Sequence, residues 1–225
     1  MRIRVQGYVL MALLFLALPA RAGEPIHDAA ILDQVVAAQQ HHTTVQGKLR
    51  WLTRKITDPT APVGEQQVRF FLAFPQRYHV IVTKADDQEW KQHFVSDGKT
   101  RWEITEYDKD EKPDKKATLI GEGDELERQL MACFRFDLAS LQDDFSILAV
   151  ASAEQGAEIR LTPIALKIKE QVTALVMFFD AKRALTAIRV EDPQDNRIDF
   201  VVQEATYDQT LDEALFHVES DKAKP

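Results

Sequence analysis

Hydrophobic positions change their period several times along the 225-residue chain, and each change marks an element. Ile31, Leu32, Val35 and Val36 recur at helical spacing, with Asp33 and Gln34 between them. Asp28 stands where an N-cap belongs, so a helix is predicted over 28–40. From Thr44 the period drops to two. Val45, Leu49 and Trp51 alternate with Gln46, Lys48 and Arg50, and Gly47 is in phase with the apolar set. Val68, Phe70, Leu72 and Phe74 then share one face up to Pro75, and Tyr78, Val80 and Val82 form the next row. Stretches 90–96 and 100–105 flank Asp97-Gly98, a hairpin signal because glycine accepts positive φ. In the second of these, Trp102 and Ile104 are predicted to face a dry side, and Arg101, Glu103 and Thr105 a wet one.

Residues 57–65 and 85–88 read as turns, and 108–116 as a solvated mixed-charge loop whose lysines and spacing do not suit calcium. A second helical region is predicted over 124–143, broken near Phe136. Strands follow at 145–151, 158–163, 172–179, 185–191 and 198–205, then one helical turn within 211–219 leading to a short last strand. Successive strands joined by short turns favour antiparallel pairing. The pattern predicts an α+β, mainly β fold with a sheet of about ten to eleven strands, large enough to curl. No linker or internal repeat divides it, so one domain is expected over 23–225.

The amino terminus changes the picture. Arg2 and Arg4 precede an apolar run over 9–18, followed by Pro19 and Ala20-Arg21-Ala22. This is the pattern of a secretory signal peptide cleaved after Ala22, and the run is too short to span a bilayer comfortably. Cleavage takes three of the 28 basic residues, leaving 25 against 36 acidic ones, a formal charge of −11. That balance argues against nucleic acid and against adsorption on anionic membranes. Cys133 is the single cysteine, so no internal disulfide forms even in an oxidising compartment. A soluble, exported, monomeric product is expected.

Catalytic signatures are missing from the chain. It has no Gly-x-Ser-x-Gly elbow, phosphate-cradling loop or metal spacing. His41-His42 read as solvated residues after a helix, and His79 and His93 as isolated strand residues, His79 on the wet phase. Cys133, between Met131 and Phe134, reads as an inert buried thiol. Asp143-Asp144 and Glu191-Asp192 lie near turns and are expected to face solvent. No catalytic residue, metal or cofactor is expected.

Several stretches, in order, carry a family resemblance: "VQGKLRW" after the first helix, "FPQRY" (74–78), "VSDGKTRW" (95–102), "LTP" (161–163), the succession from "FFD" (178–180) to "DNRIDF" (195–200), and the closing Phe-His-Val after Asp212. The chain resembles the LolA family of periplasmic carriers of outer-membrane lipoproteins. The resemblance implies an incomplete, curled antiparallel barrel with helices closing one mouth. It also implies a role: carrying acylated lipoprotein or lipid cargo from an inner-membrane exporter toward an outer-membrane receptor. One position departs from the family, which has an arginine just before the proline that ends the second strand, where it helps hold the helical lid. Here Phe74 stands there, and the role is not transferred to Arg69 or Arg77. Tyr78 matches the family's aromatic three residues after the proline.

An acyl chain gains roughly 0.8 kcal/mol per buried methylene, so a chain of about sixteen carbons is excluded from water by roughly 10 kcal/mol or more. A carrier needs a dry face that can also release its cargo. The candidate lipid-lining residues are Leu49, Trp51, Phe70, Leu72, Phe74, Tyr78, Val80, Trp102 and Ile104. The same residues equally describe a plain core under helices. Three functions fit the pattern: a lipid or lipoprotein carrier, with a divergent carrier of another envelope lipid as its variant; a sensor module binding lipoprotein signals; and a hydrolase of envelope lipids or glycans. The hydrolase requires an inward polar cluster, and the sensor usually a second domain.

Overall fold

The computed structural model describes residues 28–58, 60–61, 63–84, 90–106, 114–119, 131–152 and 156–218. The predicted signal peptide, the first part of the charged loop, the start of the second helical region and the end of the last predicted strand lie outside them. The described strands are β1 (Thr44–Lys55), β2 (Gly64–Ala73), β3 (Arg77–Lys84), β4 (Lys91–Asp97), β5 (Thr100–Glu106), β6 (Asp114–Leu119), β7 (Phe145–Ser152), β8 (Gly156–Pro163), β9 (Ala174–Phe179), β10 (Leu185–Glu191) and β11 (Asn196–Tyr207). Their hydrogen-bonded order, β6-β5-β4-β3-β2-β1-β11-β10-β9-β8-β7, makes one open sheet, predominantly antiparallel. Helices α1 (Ala29–Gln39), α2 (Leu138–Asp144) and α3 (Leu166–Lys169) and a 3-10 helix over Glu213–Phe216 accompany it. The mainly β, α+β class and the open antiparallel sheet are as the pattern predicts.

The chain divides into two compact units. The first combines described residues of Met1–His41, Arg50–Gly64 and Ala132–Val202. In it, α1 begins where Asp28 accepts the Ile31 amide at 3.2 Å, and it buries Ile31, Val35 and Gln39. Gln39 donates to the Arg183 carbonyl at 2.6 Å and Arg183 donates back to Gln34 at 2.7 Å, tying α1 to the β9–β10 turn. Residues 131–135 are helical, and the chain breaks at Phe136, whose φ is 52°. Asp137 then caps α2, so the predicted break falls where expected. Phe136 is fully buried and meets Phe179 edge-on at 5.7 Å. Register alignments Ile159↔Met177 and Leu161↔Leu175 build the adjoining apolar face. The helix α3, which is not among the elements predicted from the sequence, buries its own Ile168, and Val172 just after it is buried too.

The second unit combines His42–Leu49, Glu65–Met131 and Gln203–Pro225. It carries β2 to β6, paired in sequence order. At the predicted hairpin Gly98 has φ 89°, and the Asp97 carboxylate accepts the Lys99 and Thr100 amides, each at 2.7 Å. Two expectations are corrected here. Asp114–Leu119, half of it read as loop, pairs along β5. Its charges concealed the strand, because backbone pairing along an edge needs no apolar side chain. Strand β2 ends at Ala73, so Phe74 lies just beyond it, half-buried, with its amide donating to the Thr43 carbonyl at 3.0 Å.

Candidate functional site

Residues directly opposite in an antiparallel pair point to the same side of the sheet. The registers of the second unit therefore sort its side chains into two faces. Phe70 opposes Val80 and Val80 opposes Phe94; Leu72 opposes Tyr78 and Tyr78 opposes Ser96; Val68 opposes Val82 and Val82 opposes Gln92. On this face Phe70, Leu72 and Tyr78 are each 2% exposed, Val82 1% and Phe94 4%, while Val80 is half-buried. On β5 the same face continues as Arg101, Glu103 and Thr105. The apolar surface thus stops at β4. Its margin is satisfied by polar contacts: Gln92 donates to Glu103 at 2.6 Å, and Ser96 donates to the Gln76 carbonyl at 3.0 Å.

The registers divide the predicted lining between two faces. Trp102 opposes Val95, which opposes His79, which opposes Phe71; Ile104 opposes His93, which opposes Ile81. Trp102 and Ile104 therefore lie on the face away from Phe70, Leu72, Tyr78 and Val80. Every residue of β5 is half-buried, so the expected division of that strand into a dry and a wet side is not seen. Leu49 is 2% exposed on β1, and two residues before it β1 runs hard against its neighbours. A Cβ on Gly47 would lie 1.9 Å from the Glu204 carbonyl oxygen and 2.9 Å from the Phe70 ring, so only glycine fits. Trp51, in the first unit, is buried and tilts against Phe200 at 5.4 Å.

The second face holds chemistry that spacing alone did not show. His79 and His93, read as isolated, meet with Nε2 and Nδ1 3.0 Å apart, and His93 Nε2 lies 3.6 Å from Glu106. Burial pushes His79 down to about 4, the neighbouring His93 and Arg69 add to this, and the Leu215 backbone opposes it. Burial lowers His93 as well, against the pull of Glu106. Both rings are therefore neutral near pH 7. The 3-10 helix is held to this unit through Arg77, which bonds Glu213 and lies over the Phe216 ring at 5.1 Å; Phe216 is fully buried. Arg69 covers Phe71 at 5.5 Å. A shallow polar groove of about 220 Å³ runs between Gln46, Lys48, Arg69, Phe71 and Glu204.

The first unit contains a charge cluster on β1, β10 and β11. Asp199, buried, accepts Arg54 at 2.9 Å and Arg189 at 2.7 Å; Glu191, buried, lies 3.9 Å from Arg197. Burial pushes Glu191 up to about 7 despite Arg197 and Arg189. The expectations that Glu191 and Asp144 face solvent are corrected, since both are buried. Nearness to a turn was misleading for Glu191 because β10 ends with both Val190 and Glu191 buried, and for Asp144 because the short helix it closes buries it beside Leu141. Cys133 is buried, and desolvation pushes its thiol up to about 12, which suits an inert thiol. His42 is not merely solvated, since it stacks on Tyr207 at 4.2 Å and bonds Asp208 at 2.7 Å. Among the described residues, no group of three His, Cys, Asp or Glu is placed to hold a metal. No helix among them is long and apolar enough to cross a membrane.

A protein-family model described as "Outer membrane lipoprotein carrier protein LolA" matches residues 80–219, more than half of the 225-residue chain. The chain belongs to the LolA family. Proteins of this family are periplasmic carriers that bind lipid or lipoprotein. No curated protein sequence matches the chain. Among solved structures it is similar to a LolA superfamily protein, NE2245, from Nitrosomonas europaea, at 9% identity over 84% of this chain and 96% of that one, TM-score 0.47. It is also similar to a DUF1329 family protein from Desulfovibrio piger (13% identity, 84% and 96% covered, TM-score 0.41). A third is a putative outer membrane lipoprotein-sorting protein domain from Vibrio parahaemolyticus (9%, 83% and 94%, TM-score 0.40).

Proposed function

We propose that this LolA family member is a periplasmic carrier that shields the acyl chains of a lipoprotein, or of a related envelope lipid, and delivers them toward the outer membrane. An inner-membrane exporter loads it, an outer-membrane receptor unloads it, and it acts as a monomer after cleavage behind Ala22. The observation that carries the reading is the family match joined to one contiguous apolar face. Phe70, Leu72, Tyr78, Val80 and Phe94 stand side by side across three strands, bounded by polar residues on the next. Leu49 belongs to the same set, because Gly47, in phase with it on β1, reaches the Phe70 ring. Acyl methylenes gain by contact with such a surface and with nothing in the aqueous phase. Trp102 and Ile104 are left out of the lining, and Phe74 borders it.

The experiment is a displacement assay. An environment-sensitive fluorophore added to purified, delipidated protein gains emission, and a diacylated peptide displaces it while the unacylated peptide does not. Failure of the acylated peptide to compete removes the lipoprotein reading. A second reading, a carrier for a different envelope lipid, is favoured by Phe74 at the position where the family has arginine. It predicts displacement by that lipid and not by the diacylated peptide.

A further inference from the structure

The first unit joins β8 to β9 through a short knuckle, Pro163 to Lys169, whose surface is the reverse of what folding alone favours. Leu166 is 78% exposed and Ile164 49%; Val63, also at 49%, is the other exposed large apolar side chain of this unit among the described residues, but it stands alone in its segment. A single exposed leucine is ordinary. Two of them on a segment that is firmly held are not. The amides of Ile164 and Ala165 donate to the Asp144 carbonyl at 2.8 and 3.3 Å, and Ile168 and Val172 are buried at 1% and 2% beneath. The knuckle therefore has inward apolar residues to anchor it and keeps two more outward. Lys167 and Lys169 stand beside them, exposed, with Glu170 the one acid among residues 164–170.

We infer that this knuckle is a membrane-contact point: Ile164 and Leu166 enter the interface of an anionic bilayer while Lys167 and Lys169 pair with its phosphate headgroups. The combination of aliphatic tips and flanking lysines is what an interfacial segment requires, since apolar burial and headgroup attraction add. The acidic balance of the whole chain, which argues against general adsorption on anionic membranes, acts weakly at one point of contact. Charges more than about 8 Å away are screened at physiological ionic strength, so the bilayer meets the two lysines and Glu170, a locally basic point. The inference rests on the carrier reading, in which the protein travels between two membranes and meets its exporter and receptor at their surfaces.

The test is co-sedimentation of the full chain with vesicles of phosphatidylcholine containing about one-third phosphatidylglycerol, and with phosphatidylcholine alone. Binding to the anionic vesicles is expected, weakened by salt and reduced roughly tenfold or more in Ile164→Ser/Leu166→Ser. Lys167→Glu/Lys169→Glu should abolish the preference for anionic vesicles. Wild-type protein that does not sediment, or variants that sediment equally, overturn the inference. So does loss of a wild-type dimer in the double-serine variant, which makes the knuckle a contact between copies. Fluorophore uptake, measured in parallel, separates this outcome from the parent reading. Uptake retained with vesicle binding lost in the variants supports the knuckle. Uptake absent in wild-type protein that still binds vesicles sinks the carrier and leaves the knuckle standing.

Discussion

Phe70 and Trp102 are both large aromatics in alternating strands, yet their positions make opposite predictions. Phe70 is 2% exposed on the apolar face; Trp102 is half-buried on the other. Phe70→Ala should lower unfolding free energy by about 3–5 kcal/mol, and Trp102→Ala by less than about half that, measured by urea titration. Equal losses would contradict the assignment of faces. The histidine pair predicts a pH dependence. His79 is held near 4, below the value of about 6.5 expected in the unfolded chain, so the folded state disfavours its protonation. Stability is fully present above about 6.5 and declines as pH falls toward 4. Melting temperatures from pH 7.5 to 4.5 should therefore fall less in His79→Gln than in wild type. The charge cluster supplies a contrast between buried and exposed pairs. Asp199→Ala strands Arg54 and Arg189 and should cost about 3–5 kcal/mol, whereas Glu204→Ala, which loses only the exposed contact to Lys48, should cost less than about 1 kcal/mol.

At the scale of elements, the sequence was most legible where local physics decides the outcome. Asp28 and the spacing of Ile31 and Val35 specified α1, and Asp97-Gly98 specified a hairpin whose side-chain and backbone conformations bear that out. The break at Phe136 was legible because Asp137 offers a fresh cap. Strand β6 was not, since Asp114, Lys115 and Lys116 carry no apolar alternation and their pairing is a backbone matter. The faces were half legible. Period two says that Trp102 and Ile104 share a side, but which side they share with Phe70 depends on the parity of three successive registers, and one residue of shift inverts it. His79 and His93 were hidden for the same reason. Glycine 47 is the element-scale prediction. Gly47→Ala drives a methyl into the Glu204 carbonyl and should move β1 away from its neighbour, giving a loss of at least about 2 kcal/mol or insoluble protein. Soluble Gly47→Ala with unchanged urea stability would contradict that close approach.

For the whole molecule, family membership suggests a carrier of lipid or lipoprotein, and the proposal places its binding on the apolar face. Asp199 is paired with Arg54 and Arg189 across β1, β10 and β11. The cargo should be whatever the protein retains when taken gently from its native envelope. Native mass spectrometry of that material is the direct measurement. The account predicts a population heavier than the bare polypeptide by one acylated peptide or lipid per chain, lost on substituting Phe70 and Leu72 with serine in variants that remain folded. Protein that leaves the envelope at its bare mass, and takes up no diacylated peptide when offered it, contradicts the account.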